Sequence, residues 1–273
     1  MSELVGCGPG WADAIAGDRS GGAALMYSGG CDSTLAACRL AAEFPVVHLI
    51  TYTRFGFLAT DNPSVHFERM KARFPDVRFV LHRIPYGRMY EEVEGFRRLR
   101  SMWRYGSLTA APCGHCKLSM HWRTLLFCVE NGVAFAADGA VHGNEQFAEQ
   151  NENILMPGLI EFYREHGLTL LHPVFERGLD TEEALFRLGI TDSPQVKRTR
   201  ADKQVICSQH ILLAMQMRRF LHDRTFEEYE AAQREYLTMK LDHVRELTRE
   251  HLRDAARSRL NALLEAPDAI ADR

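Results

Sequence analysis

Through the first half of the chain, short apolar runs alternate with amphipathic stretches. The runs Ala23–Tyr27, Val46–Tyr52, Val77–Arg83 and Val133–Ala137 are strand-sized and rich in β-branched and aromatic residues. Between them, Ser33–Glu43, Ser64–Phe74, Tyr86–Arg100 and Cys116–Asn131 space their apolar residues at helical intervals, and Asn131-Gly132 supplies a C-cap for the last. This cadence predicts βαβ units, and right-handed crossovers turn such units into a doubly wound parallel sheet with helices on both faces, an α/β fold. From Asp138 to Arg200 the pattern predicts a helix at Leu159–His166, an apolar run at Leu168–Val174, a short helix at Thr181–Leu188 and a polar, basic loop at Ser193–Lys203. From Ile206 to about Leu264 it turns helical and charged, with Leu212, Met215, Phe220, Phe226, Tyr229, Tyr236, Leu241, Val244 and Leu247 at helical spacing. The expected organisation is an N-terminal extension over 1–20, an α/β domain over 21–210 and a helical C-terminal region over 211–273.

Composition narrows this outline. With 273 residues, 46% of them hydrophobic, the chain is long enough to bury a core without staples. Its longest apolar runs fall far short of the ~20 residues that span a bilayer. The N-terminal stretch MSELVGCGPGWADAIAGDRS has no basic segment followed by an apolar one, so a cytoplasmic protein with no membrane association is expected. In a reducing compartment, seven cysteines, an odd number, read as buried hydrophobes, metal ligands or catalysts. A net charge of −3 offers no chain-wide basic footprint for nucleic acid.

The sharpest local feature is Tyr27-Ser28-Gly29-Gly30-Cys31-Asp32-Ser33-Thr34, between a strand-like and a helix-like run. Glycines at such a turn let backbone N–H groups approach an anion, and the helix N-terminus adds donors and the positive end of its dipole. Ser28, Ser33 and Thr34 add hydroxyl donors, and Asp32 suits a helix cap or a Mg²⁺ ligand. No GK[ST] occurs, so this is not a Walker A loop. The string resembles the SGGxDS/T signature of the PP-loop ATP pyrophosphatases, a superfamily with an adenine nucleotide alpha hydrolase-like, Rossmann-like fold. The resemblance implies that Ser28, Gly29, Gly30, Asp32, Ser33 and Thr34 cradle the pyrophosphate end of ATP with Mg²⁺. It places the adenine near Ile50–Arg54, where Thr51 lies, and implies cleavage between the α and β phosphates to give an adenylate.

A second constellation is Pro112-Cys113-Gly114-His115-Cys116-Lys117, a CxxC at a helix start, with Cys207 downstream. A helix N-terminus favours thiolate, the form that ligates metal or attacks. Three thiolates suit an iron–sulfur cluster with one open iron, or zinc with a fourth ligand such as His121 or His115. In its order of motifs the chain is similar to the iron–sulfur-dependent tRNA thiolases. That resemblance implies that Cys113, Cys116 and Cys207 hold a [4Fe–4S] cluster whose unique iron carries sulfide. Where that branch has a Gly-His-x-x-Asp-Asp segment, this chain has Asp138-Gly139-Ala140-Val141-His142-Gly143-Asn144-Glu145. Asp138 and Gly139 are therefore the expected nucleotide contacts there, with His142, Asn144 and Glu145 as further candidates.

The leading expectation is an ATP-dependent enzyme that adenylates a carbonyl oxygen and replaces it with sulfur. Asp32, Cys113, Cys116 and Cys207 are its catalytic candidates, a sulfur donor is its partner, and tRNA or a small molecule is its acceptor. The rivals are an amide- or nitrile-forming ligase with a structural zinc, and a non-catalytic sensor of ATP. The resemblance also implies a homodimer. Arginines at 97, 98, 100 and 104, beside Trp103 and Tyr105, and basic residues from Lys197 to Lys203 could meet phosphates but read equally as solvated faces. Cys31 reads as filler within the loop, and His48 and His172 as structural histidines.

Overall fold

Alternation along the strands is what divides this molecule into two cores. The computed structural model describes residues 6–58, 64–106, 112–143, 151–195, 206–207, 218, 221–222 and 224–265, and the side chains of 58, 64–65, 112, 206–207 and 259–265 lie outside that description. In chain order, a 3-10 turn at Trp11–Ala14 precedes β1 (Ala23–Met26), α1 (Cys31–Ala41), β2 (Val46–Thr53), β3 (Phe57–Leu58), α2 (Ser64–Arg73) and β4 (Arg78–Pro85). There follow α3 (Gly87–Gly95), α4 (Arg98–Tyr105), α5 (Pro112–Asn131), β5 (Phe135–Ala137), α6 (Met156–Arg164), β6 (Thr169–Leu171), α7 (Thr181–Arg187), β7 (Ile206–Cys207) and α8 (Phe226–Glu265).

Five strands form one parallel sheet in the order β4-β2-β1-β5-β6. Successive side chains of a strand point to opposite faces, and each face carries its own core. Ala23, Leu25, Val47, Leu49, Phe135 and Leu171 pack with Leu35 and Leu40 of α1, Met70 of α2 and Leu185 of α7. Their sequence neighbours Ala24, Met26, Ile50, Ala136 and Leu170 pack on the other face with Leu118, Trp122 and Leu125 of α5, Phe162 of α6 and Leu241 of α8. Each large side chain removed from water stabilises the fold by about 1.5–3 kcal/mol, which is why β1, with no polar residue, sits at the centre. The doubly wound α/β fold read from the pattern is the observed one.

Three boundaries differ from the sequence reading. The expected single helix Tyr86–Arg100 is two, α3 and α4, joined at Arg97 with φ +52. Lys240, wholly buried on α8, donates to the carbonyls of Val93 (2.8 Å), Glu94 (3.1 Å) and Phe96 (2.5 Å) and so closes α3 from outside. Burial pushes the Lys240 pKa down to about 8. The second difference is at Cys207, expected to open a helical run, which lies instead in β7, antiparallel to β3 with Phe57 opposite Cys207. Leu212, Met215 and Phe220 lie outside the described residues, and the helix from Phe226 is a single element of 40 residues. Third, the CxxC sits within the first turns of α5, which begins at Pro112 rather than at Cys116. Among the described residues, no helix is long and apolar enough to cross a membrane.

Candidate functional site

In a sheet of this order, β1 leads to β2 on one side while β5 stands on the other, so a crevice opens at their carboxyl ends where ligands bind in open α/β sheets. The chain fills this crevice with the polar residues singled out above. After β1 the backbone turns through Gly29, whose φ of +83 lies in the left-handed region, and enters α1 at Gly30 without a side-chain cap. Hydroxyls brace the turn. Ser33 Oγ donates to the Gly30 carbonyl (3.1 Å) and accepts from the Ser28 amide (3.3 Å), and Ser28 Oγ accepts from the Gly30 amide (3.3 Å). On α2, His66 Nδ1 lies 2.9 Å from the Gly29 carbonyl, and because a carbonyl only accepts, Nδ1 carries the hydrogen. Asp32 accepts from Thr181 Oγ at 2.6 Å, which ties α7 to the first turn of α1. Thr51, buried at the end of β2, donates to the Tyr27 carbonyl at 2.9 Å.

A cleft of about 280 Å³ opens over this turn. Ser28, Gly30, Asp32 and Ser33 form one wall, Thr51, Tyr52 and Phe57 a second, and Lys117, Met120, Asp138 and Gly139 a third. Gly139 is required by contact: a Cβ there would stand 2.9 Å from the Ser33 backbone N and Cα. Asp138, 1% exposed, anchors the third wall. Its Oδ2 lies 2.6 Å from Lys117 Nζ, and its Oδ1 meets His172 Nδ1 at 2.6 Å and the Ala140 amide at 3.1 Å. Burial alone would push the Asp138 carboxyl up, but the attraction of His172 and Lys117 and the hydrogen bond from His172 outweigh it and hold the carboxyl well below the usual range. His121 Nε2 stands 3.5 Å from Oδ2, beyond a good hydrogen bond. Tyr163 donates to the His121 carbonyl at 3.0 Å and lies 3.2 Å from its Nδ1, and burial pushes the His121 pKa down to about 4.

The cysteines stand at the neighbouring corner. Cys116 Sγ is 2.7 Å from the Tyr86 hydroxyl, which accepts from Arg54 Nε at 3.0 Å. The Arg54 guanidinium stacks over Tyr90 at 4.1 Å and lies 5.3 Å from the Phe57 ring. Phe57 lines the cleft, lies 6.0 Å from the Tyr86 ring and pairs through the backbone with Cys207, which puts the β3–β7 ladder on the Tyr86 side of the cleft. The Cys207 side chain lies outside the description. Among the described residues no group of three or more His, Cys, Asp or Glu is arranged to hold a metal ion. The alternative fourth ligands are engaged elsewhere. His115 Nε2 contacts the Tyr236 hydroxyl of α8 at 2.7 Å, and burial pushes its pKa down to about 3, while His121 belongs to the Asp138 network.

The chain matches no family model and no characterised protein.

Of the residues expected at the site, Ser28, Gly30, Asp32, Ser33, Thr51, Asp138 and Gly139 line one cleft. Gly29 shapes its turn, and Thr34 lies buried behind it near His66. Cys31 is buried in the core, and His48 pairs with His82 across the sheet at 3.1 Å. His172, read as a structural histidine, is one: it is buried and bonded to Asp138. Asn144, Glu145 and the stretch from Lys197 to Lys203 lie outside the described residues, and His142 faces the Phe175 ring. Sequence reasoning missed Lys117, His66, Arg54 and Tyr86. Lys117 alone carried a signal, its place directly after the CxxC.

Proposed function

We propose that the chain is a PP-loop ATP pyrophosphatase and a sulfurtransferase. The observation that carries this reading is the braced Ser28–Thr34 turn at the head of α1, opening into a cleft at the sheet's switch point, because a helix N-terminus flanked by hydroxyls is a site for phosphate. An acceptor carbonyl oxygen attacks the α-phosphorus of ATP, the new O–P bond forms as the α–β bridge breaks, and pyrophosphate leaves with the electron pair. The turn stabilises charge on that leaving group, and Asp32 would hold a Mg²⁺ that, when bound, supplies further neutralising charge. Sulfide then adds to the activated carbon, and AMP departs with the oxygen.

Cys113, Cys116 and Cys207 would hold the [4Fe–4S] cluster, which when bound supplies a thiophilic site for sulfide. Two thiols in the first turns of α5 and a third from Cys207 suit such a group, and the contacts of His115 with Tyr236 and of His121 with Tyr163 speak against either as a fourth ligand to zinc. The acceptor is a tRNA base or a small molecule.

Anaerobically purified protein, incubated with MgATP, sulfide and candidate acceptors, is expected to release pyrophosphate and AMP in equal amounts. Consumption of ATP to ADP and phosphate alone would overturn the reading. Incorporation of ammonia rather than sulfur would redirect it to amide or nitrile formation.

A further inference from the structure

We propose that Lys117 is the catalytic cation of this cleft, contacting the α-phosphate of the bound nucleotide, and that Asp138 and His172 are positioning residues that aim it. This rests on the nucleotide reading above. Lys117 projects from α5 one turn before Met120, and both line the cleft. Gly139, next to Asp138 on the same wall, packs against Ser33 at the turn. Lys117 therefore lines the same cleft as the turn, which would receive the leaving pyrophosphate, and as Met26, Ile50 and Met120, whose apolar surface suits a nucleoside.

The burial is asymmetric in the way such a role requires. Asp138 is 1% exposed, whereas the Lys117 side chain is 13% exposed and open to the cleft. An ammonium has three donors. Among the described residues its ion-pair partner is Asp138 at 2.6 Å, and the Lys117 side chain also lines the cleft where a ligand would meet it. An ion pair that served stability alone gains little over apolar packing. Here the carboxylate instead fixes the ammonium's direction and is itself fixed by His172 and the Ala140 amide. During adenylation, charge grows on the non-bridging oxygens of the α-phosphorus while the acceptor's O–P bond forms and the bridge to pyrophosphate breaks, and a pre-aimed cation acts there.

The test is the split between kcat and KM for ATP in pyrophosphate release, with AMP affinity by calorimetry. Lys117→Met is expected to lower kcat by about 100-fold or more, to change KM by a few-fold at most and to weaken AMP binding. The double variant Lys117→Met/Asp138→Asn, which removes both charges of the pair, is expected to show the same loss in a protein that still melts cooperatively. His172→Asn retains a donor near the Nδ1 position and is expected to keep most of kcat, while His172→Ala loses it. Wild-type kcat and AMP affinity in Lys117→Met or the double variant would overturn this inference and leave the nucleotide reading standing. A wild-type protein that binds neither MgATP nor AMP would overturn both.

Discussion

At the scale of single residues, the Ser28–Thr34 turn was legible because its bonding is local: Ser28, Gly30 and Ser33 bond one another within five residues of chain. The partners of Lys117, His66 and His172 were not, because they arrive through the fold. His66 meets Gly29 from 37 residues away, and His172 meets Asp138 from 34. A histidine in an apolar context looks the same in sequence whether it fills space or holds a carboxylate. Gly139→Ala is expected to force apart α1 and the loop after β5, costing about 1–3 kcal/mol of stability and most of the MgATP affinity, as read by thermal melting and calorimetry. Titration gives a second residue-level outcome. His115 and His121 have folded pKa values below the ordinary 6.5, at about 3 and about 4. Between pH 6.5 and 4 the unfolded chain therefore binds protons that the folded one refuses, and stability falls as pH falls, by a few kcal/mol in total. The Asp138 carboxyl, depressed in the folded state, loses its contribution only at still lower pH. Urea unfolding at pH 7 and pH 5 checks the sign, and His121→Asn is expected to flatten the slope.

Among the elements, strands and long helices followed their periodicity, whereas the division of Tyr86–Arg100 did not, because its cause lies on α8. No propensity at Gly95 or Phe96 announces that Lys240 will arrive to satisfy three carbonyls there. Lys240→Met is expected to leave those acceptors unsatisfied and cost roughly 2–4 kcal/mol, measured by chemical denaturation, with faster hydrogen exchange confined first to α3. The same helix explains two glycines. A Cβ at Gly114 on α5 would stand 2.9 Å from Leu237, and one at Gly158 on α6 would stand 2.8 Å from Leu241. The glycine inside the CxxC thus lets Leu237 of α8 lie close against α5, and a larger residue there would have to turn that leucine aside. Cys207 was misplaced for a related reason: a two-residue strand has too few positions to show an alternation, and only its partner at Phe57 reveals it.

For the whole molecule, the βαβ cadence was enough to predict a parallel sheet with two covered faces, and the crevice at its switch point follows from strand order. A ligand that binds only the folded state at 100 times its dissociation constant adds about 2.7 kcal/mol of stability. MgATP is accordingly expected to raise the thermal midpoint of the wild type but not of Ser33→Ala, which removes the hydroxyl at the centre of the turn. The separation of the two cores has one more use. Trp11 is buried on the face of α1 and α2, Trp122 on the face of α5 and α8, and Trp103 stands 93% exposed on α4. With three tryptophans in all, the chain carries one native fluorophore per compartment and one in solvent. Aqueous iodide should quench only the last, and single Trp→Phe variants would then let each layer's melting be watched by its own light.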